Sequence, residues 1–206
     1  MLIVTVLRPL SDDLLNAPVD AVRLVDIPPA HVLMVDGIGN PESSAAFREA
    51  IGKLYGVTYT LRFGLRRAGL DPGPMPPLEG LWRSEDMPIL SGQRDAGAIH
   101  WTLLMHLPEM ASADAVHAAL EDLARKRGPD AITGLRVERF EEGRCAQITH
   151  LGPYDTEEAT IGRLLRFIEE HQLRPTGRHH EVYLSDPRRT RPERVRTLLR
   201  QPVTPG

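Results

Sequence analysis

Apolar residues recur at two spacings along this chain, and the spacing changes at definite places. Val22 to Gly39, VRLVDIPPAHVLMVDGIG, reads as two strands parted by a proline pair. Phe47, Ile51, Leu54, Tyr55, Val57, Leu61 and Leu65 then recur at helical spacing, with Ser43 or Ser44 placed to cap. Gly52 and Gly56 weaken that helix but permit close packing. PMPPLEGLWRSED predicts a strand entered through prolines, and Ala98 to Glu109 predicts another. Ser112 to Gly128 forms a helix with a serine cap and a glycine stop.

The pattern then starts again. LRVERFEEGRCAQITHLGPYD gives two strands around an EEG turn, and TEEATIGRLLRFIEEHQL gives a helix capped by Thr156. HHEVYLSDP is a strand and VRTLLRQPV a short closing element. The order strand, strand, helix, strand, strand thus occurs twice, over about 22–110 and 135–203, inside one domain spanning 22–206. Helix 112–128 links the copies, and residues 1–21 form an N-terminal segment with no assigned role. Overlaid, HVLMVDGIGNPESSAAF lies on CAQITHLGPYDTEEATI, and LEGLW lies on HEVYL. The predicted fold class is α+β: duplicated βαββ-type halves with two antiparallel sheets and helices around a central ligand cleft.

That overlay places Glu79 on Glu181 and Trp82 near Tyr183. An acid and an aromatic on matching strands predict a shared cavity; the plain alternative is two carboxylates facing water on half-exposed strands. Within HHEVYL, alternation puts His179, Glu181 and Tyr183 on one face. His180, Val182 and Leu184 form the other, apolar face, which can meet a covering helix.

Composition narrows the partners. The chain has 206 residues, 41% hydrophobic and 26% charged, with a net charge of -3, so no general nucleic-acid binding is expected. The interrupted basic run RRTRPERVRTLLR reads as a solvated face. No window approaches the roughly 20 apolar residues of a membrane helix, and MLIVTVLRPL lacks the basic start of a signal peptide, so the expected setting is cytoplasmic, with no membrane partner. The single cysteine, Cys145, sits in an apolar run and reads as a core residue. No motif calls for a cofactor. DGIGNP has Glu42 where a third glycine would stand, and there is no G-x-S-x-G elbow. His179 and His180 are adjacent on a strand, so they cannot both aim at one metal with Glu181. His31, His106, His117, His150 and His171 are isolated and default to the surface.

VDIPPAHVLMVDGIGNP, LYGVTYTLRF, PPLEGLW, CAQITHLGPYDTEEATI and HHEVYLSDPRRTRPERVRTLLRQPV together resemble the stand-alone GyrI-like small-molecule-binding family, from about Val22 to Val203. The resemblance implies a SOUL-like fold of two halves about a cleft, with Glu181 as the buried glutamate. It implies aromatic ligand contacts at Tyr55, Tyr59, Trp82, Trp101 and Tyr183, a flat aromatic or electrophilic small molecule as partner, and no DNA-binding role. Some stand-alone members resemble hydrolases that open the strained cyclopropane of DNA-alkylating natural products. Where relatives read PLEGLWW, this chain has Arg83, a departure at one edge of the pocket.

The residues fit that chemistry. Aromatics make up 5% of the chain, yet both tryptophans and three of the four tyrosines fall at those positions. Tyr55, Tyr59 and Phe63 share one helix face; Phe63 is read as packing on the sheet, and the two tyrosines as lining a site. A carboxylate desolvated among aromatics is suited to act as a general base, so Glu181 is the candidate base. Tyr55, Tyr59 or Tyr183 can donate to a carbonyl, Glu79 can serve as a second acid, and His179 lies beside the substrate. The alternatives are a non-catalytic module that holds drug-like aromatics, or an inhibitor of gyrase or another protein.

Overall fold

The computed structural model describes residues 12–41, 43–82 and 99–206. Arg83 and the third position of the glycine motif, Glu42, lie outside the described residues. The helices are α1 (Asp12–Leu15), α2 (Ala45–Arg67), α3 (Ala113–Arg127) and α4 (Glu158–Glu170). The strands are β1 (Arg23–Ile27), β2 (Ala30–Ile38), β3 (Leu78–Trp82), β4 (His100–His106) and β5 (Arg136–Phe140), followed by β6 (Gly143–Leu151), β7 (Leu173–Pro175), β8 (His179–Tyr183) and β9 (Arg196–Pro205).

Local chemistry sets the boundaries. Pro28 and Pro29 part β1 from β2. Ser44 accepts from the Phe47 N–H at the start of α2, and Ser112 accepts from Ala115 at the start of α3. Gly128, with φ of 90°, stops α3 where a residue with a Cβ would be strained. Thr156 does not cap α4, contrary to the sequence reading; its hydroxyl donates to Pro153 O, and α4 begins after Glu157 without a side-chain cap.

All ladders are antiparallel, in the order β1-β6-β9-β8-β3-β4-β2-β5, with β7 beside β9. The two expected sheets are therefore one, because β3 and β8 pair across the centre. The units β1-β2-α2-β3-β4 and β5-β6-α4-β8-β9 trade their first strands. β1 leaves β2 to pair with β6, and β5 leaves β6 to pair with β2. The EEG turn thus joins β5 at one edge of the sheet to β6, the strand next to the other edge.

One sheet face carries the helices. Leu33, Val35, Leu103 and Met105 pack with Leu54, Val57 and Leu61 of α2 and Leu123 of α3. Ala146, Ile148 and Leu199 pack under Ile161, Leu164 and Ile168 of α4. On the reverse face, Ala17 and Leu15 cover Val182, Leu198 and Leu184. There the carbonyls of Leu14 and Ala17 accept from the buried side chains of Arg200, Gln147 and Thr149, so part of the N-terminal segment satisfies core polar groups. Among the described residues, no helix is long and apolar enough to cross a membrane.

Candidate functional site

The register between the halves decides which residues can share a cleft. Gly39 and Gly152 occupy matching corners: both have positive φ, and their N–H groups donate to Ile99 O and Val195 O at 2.9 Å each. Followed inward from these corners, the ladders match Gly80 with Glu181, Trp82 with Tyr183, and Glu79 with His180. The overlay of Glu79 on Glu181 is thus one residue out. In a structure of period two, a one-residue slip exchanges the faces.

The consequence is a correction to the predicted site. Glu79 pairs with Val182 and Gly80 with Glu181, so Glu79 and Glu181 point to opposite faces of the sheet. Glu79 does not share a cavity with Glu181. It sits fully buried on the reverse face, with His180 Nε2 at 2.8 Å and His106 Nε2 at 3.3 Å. His180 Nδ1 meets Glu142 at 2.7 Å, and Arg200 stands 3.7 Å from the same carboxylate. The His180 face is therefore not wholly apolar; it carries an acid–imidazole–acid chain. Burial alone would lower the His180 pKa, but Glu142 and Glu79 outweigh it and push it up to about 9. Burial likewise works against Glu79 and Glu142, and their cationic neighbours hold both below the ordinary carboxylate range.

The helix-side face brings together His179, Glu181 and Tyr183 from β8 with Trp82 from β3 and Trp101 from β4. Glu181 is buried, and Tyr183 donates a 2.9 Å hydrogen bond from its hydroxyl to Glu181 Oε2. Burial and the adjacent Glu181 charge raise the Tyr183 pKa well above its ordinary value, so the phenol keeps its proton. His179 Nε2 lies 3.9 Å from Glu181 Oε1, and burial and the His180 charge hold its pKa down to about 4, which keeps it neutral. Among the described residues, the indole N–H groups of Trp82 and Trp101 have no hydrogen-bond partner, whereas His179 has Gln201 within hydrogen-bond reach. Buried indole donors without a partner are uncommon in a core.

Two glycines open this space. A Cβ on Gly80 would lie 2.9 Å from the Tyr183 hydroxyl and 3.2 Å from Trp82 Nε1, so those two polar atoms converge above bare backbone. A Cβ on Gly37 would fall inside the Trp101 ring. Phe47 from α2 stacks on Trp82 and meets Trp101 edge-on, with ring centres 6.2 and 5.1 Å away. Tyr55 is half-buried on α2, its pKa raised by burial and by Tyr59. Tyr59 packs beside Tyr55 but is 59% exposed, and the structure does not bring it to Glu181. Phe63 does not pack on the sheet as expected; it is 64% exposed, with the Arg67 guanidinium 5.9 Å above its ring.

Three residues belong here that the sequence reading passed over. Tyr154 meets Tyr183 edge-on at 5.8 Å, and Glu157 is buried close enough to Tyr183 to raise its pKa further. His150, expected on the surface, is buried behind them and bonded to Thr160. His106 likewise leaves its expected surface place to meet Glu79. The only sequence signal for Tyr154 was its place in LGPYD, and Glu157 looked like an ordinary helix-start acid.

Residues 108–204 match the model of the GyrI-like small molecule binding domain. An uncharacterized conserved protein from Listeria innocua is 34% identical, with a TM-score of 0.81, over 91% of this chain and 94% of its own. The chain belongs to the GyrI-like small-molecule-binding family. Two proteins of the same organism described as hydrolases are also similar to this GyrI-like chain, at 30% and 34% identity, with TM-scores of 0.79 and 0.76. Each similarity covers 94% of this chain and 96% of the relative. No curated protein sequence matches. The fold is thus α+β and GyrI-like.

Proposed function

We propose that this GyrI-like protein is a hydrolase that adds water to a strained, carbonyl-activated cyclopropane of the kind carried by cyclopropanoid DNA-alkylating compounds. The observation that carries the reading is the buried Glu181 carboxylate, bonded to Tyr183, whose hydroxyl converges with the unmet Trp82 N–H over Gly80. The two Listeria hydrolases support the reaction class.

In this reading the flat conjugated ring of the substrate lies against Trp82 and Trp101. Glu181 takes a proton from water as the water oxygen bonds to a cyclopropane methylene. The ring carbon–carbon bond breaks, and its electron pair moves to the conjugated carbonyl, which becomes a phenolate-type oxygen. The Trp82 and Trp101 N–H groups are donors for that developing charge. The proton held by Glu181 returns through solvent to the product oxygen, so the reaction consumes one water and nothing else. Tyr183 donates to Glu181 and so favours its ionised, basic form. This assigns Tyr183 to the base and leaves the carbonyl to the indoles.

A second reading has an observation of its own. Glu157 and Glu181 both lie buried beside Tyr183, an arrangement that attracts a flat cation and suits a sequestering module for drug-like molecules. The two readings part on turnover. Purified protein is mixed with an excess of a spirocyclopropyl cyclohexadienone, and loss of the dienone absorbance is followed beyond one equivalent. Multiple turnovers, abolished in Glu181→Gln, support the hydrolase; tight binding without turnover supports sequestration.

A further inference from the structure

His150 makes no contact with the base or the indoles, yet it is built into the cleft's wall. It is the last but one residue of β6, on the helix-side face, and is 4% exposed. Nδ1 lies 2.9 Å from the Thr160 hydroxyl on α4. Nε2 lies 3.2 Å from the Pro153 carbonyl and 3.3 Å from the Thr156 hydroxyl. Gly152 leaves no space for a side chain in this corner, since a Cβ there would sit 3.0 Å from the Thr156 hydroxyl and 3.2 Å from His150 Nε2.

The partners fix the tautomer. A carbonyl only accepts, so Nε2 must carry the proton toward Pro153. Nδ1 is then the acceptor, and Thr160 donates to it. Arg163 NH2 supplies the donor that Thr160 in turn accepts, at 3.2 Å, so the chain Arg163, Thr160, His150, Pro153 runs in one direction. The ring is thus a directional latch between α4 and the turn after β6.

That turn carries Tyr154 and Glu157 into the cleft, and Tyr154 is the ring that packs edge-on against Tyr183. In the other half, the position matching His150 is Gly37, over which Trp101 lies. One half therefore fills this corner with an indole, and the other half with a hydrogen-bonded imidazole that holds a loop. We infer that His150 is a positioning residue: its latch on Pro153 sets where Tyr154 meets Tyr183, and through Tyr183 how Glu181 is oriented. This inference rests on reading the Glu181 cleft as the working site.

Resonances of ring-labelled tyrosine in the ligand-free protein test the inference, and with four tyrosines the spectrum is assignable. His150→Ala should move the Tyr183 ring signals in the same direction as Tyr154→Leu. The double variant should add little, because contacting residues couple non-additively. His150→Gln, whose amide can still donate toward Pro153, should return the signals toward wild type. If His150→Ala does not fold, Thr160→Val removes only the donor to Nδ1 and should give a smaller shift of the same sign. On the activated cyclopropane, His150→Ala should lower kcat about tenfold with a smaller change in KM, the size of such couplings. Tyr183 signals unchanged in His150→Ala or Thr160→Val, or effects that simply add to those of Tyr154→Leu, would overturn the inference. Absence of turnover in wild type would overturn the hydrolase reading instead, with the resonance test unaffected.

Discussion

Glu79 and His180 meet 2.8 Å apart where the two halves cross, on the face of the sheet turned away from Glu181. They occupy matching places in the repeat, so an acid in one copy faces an imidazole in the other. The pair is fully buried and extends to Glu142. A buried chain of this kind makes stability depend on pH.

The direction follows from the individual groups. The folded pKa of His180 is about 9 against an ordinary 6.5, so its contribution is complete below pH 6.5 and fades as pH rises toward 9. Glu79 and Glu142 lie below the ordinary 4.5, so theirs is present above pH 4.5 and lost on acidification. His179, held near 4, adds to the acid loss, because the unfolded chain takes up its proton below 6.5. Urea unfolding should show greatest stability near pH 6.5, declining on both sides, with an alkaline decline of up to about 3 kcal/mol. His180→Gln should be less stable near neutrality and lack the alkaline decline. A variant that keeps the full decline would show that His180 is not its source.

Glu181→Gln keeps the volume of the side chain and removes its basicity. It should lower kcat on an activated cyclopropane by about 10²- to 10⁴-fold while leaving ligand affinity nearly unchanged. Tyr183→Phe should reduce kcat less, since it removes one donor to the carboxylate and not the base. Steady-state kinetics with fluorescence titration separates the two effects, and wild-type kcat in Glu181→Gln would remove it from the base role.

Gly80 tests whether the space over Glu181's neighbour is used. A methyl there meets the Tyr183 hydroxyl at 2.9 Å and Trp82 Nε1 at 3.2 Å, tighter than ordinary packing. Gly80→Ala should cost about 1–3 kcal/mol in stability and weaken ligand binding. Wild-type affinity in a folded Gly80→Ala protein, measured by titration, would place the ligand elsewhere.

Arg62 is buried in α2, and its guanidinium donates to the carbonyls of Pro72, Gly73 and Pro74 at 3.1, 2.5 and 2.9 Å. It anchors the proline-rich connection that delivers β3. Arg62→Ala should destabilise the fold by about 3 kcal/mol, because three carbonyls, that of Pro72 buried, lose a charged donor. Arg62→Lys should recover only part, since one ammonium cannot span three carbonyls in a fork. Thermal unfolding of both variants checks the order.

The element sequence and the repeat were legible because period and caps are local properties. Ser44, Ser112 and Gly128 mark their helix ends in the sequence and in the structure alike. The grouping of His179, Glu181 and Tyr183 on one face followed from alternation alone. What alternation could not supply was register between distant strands. Gly80 rather than Glu79 stands beside Glu181 because of ladders that join residues about a hundred positions apart, and no local pattern encodes that. His150 escaped for a related reason. Its partners Pro153, Thr156 and Thr160 are close in sequence, but only the packing of α4 on β6 turns an isolated histidine into a buried one.

The trade of first strands has a consequence for how this chain can be divided. Because β5 lies against β2 and β1 against β6, neither copy of the repeat holds a complete set of neighbours by itself. The stretch recognisable as the family domain, 108–204, contains β5 without β2 and β6 without β1. Expressed alone it would expose three strand edges that the full chain keeps paired, on β5, β6 and β8, and such edges recruit other chains. A break between His106 and Ala113 would instead yield two fragments that are each unfinished and each supply what the other lacks, so they should reassemble when mixed.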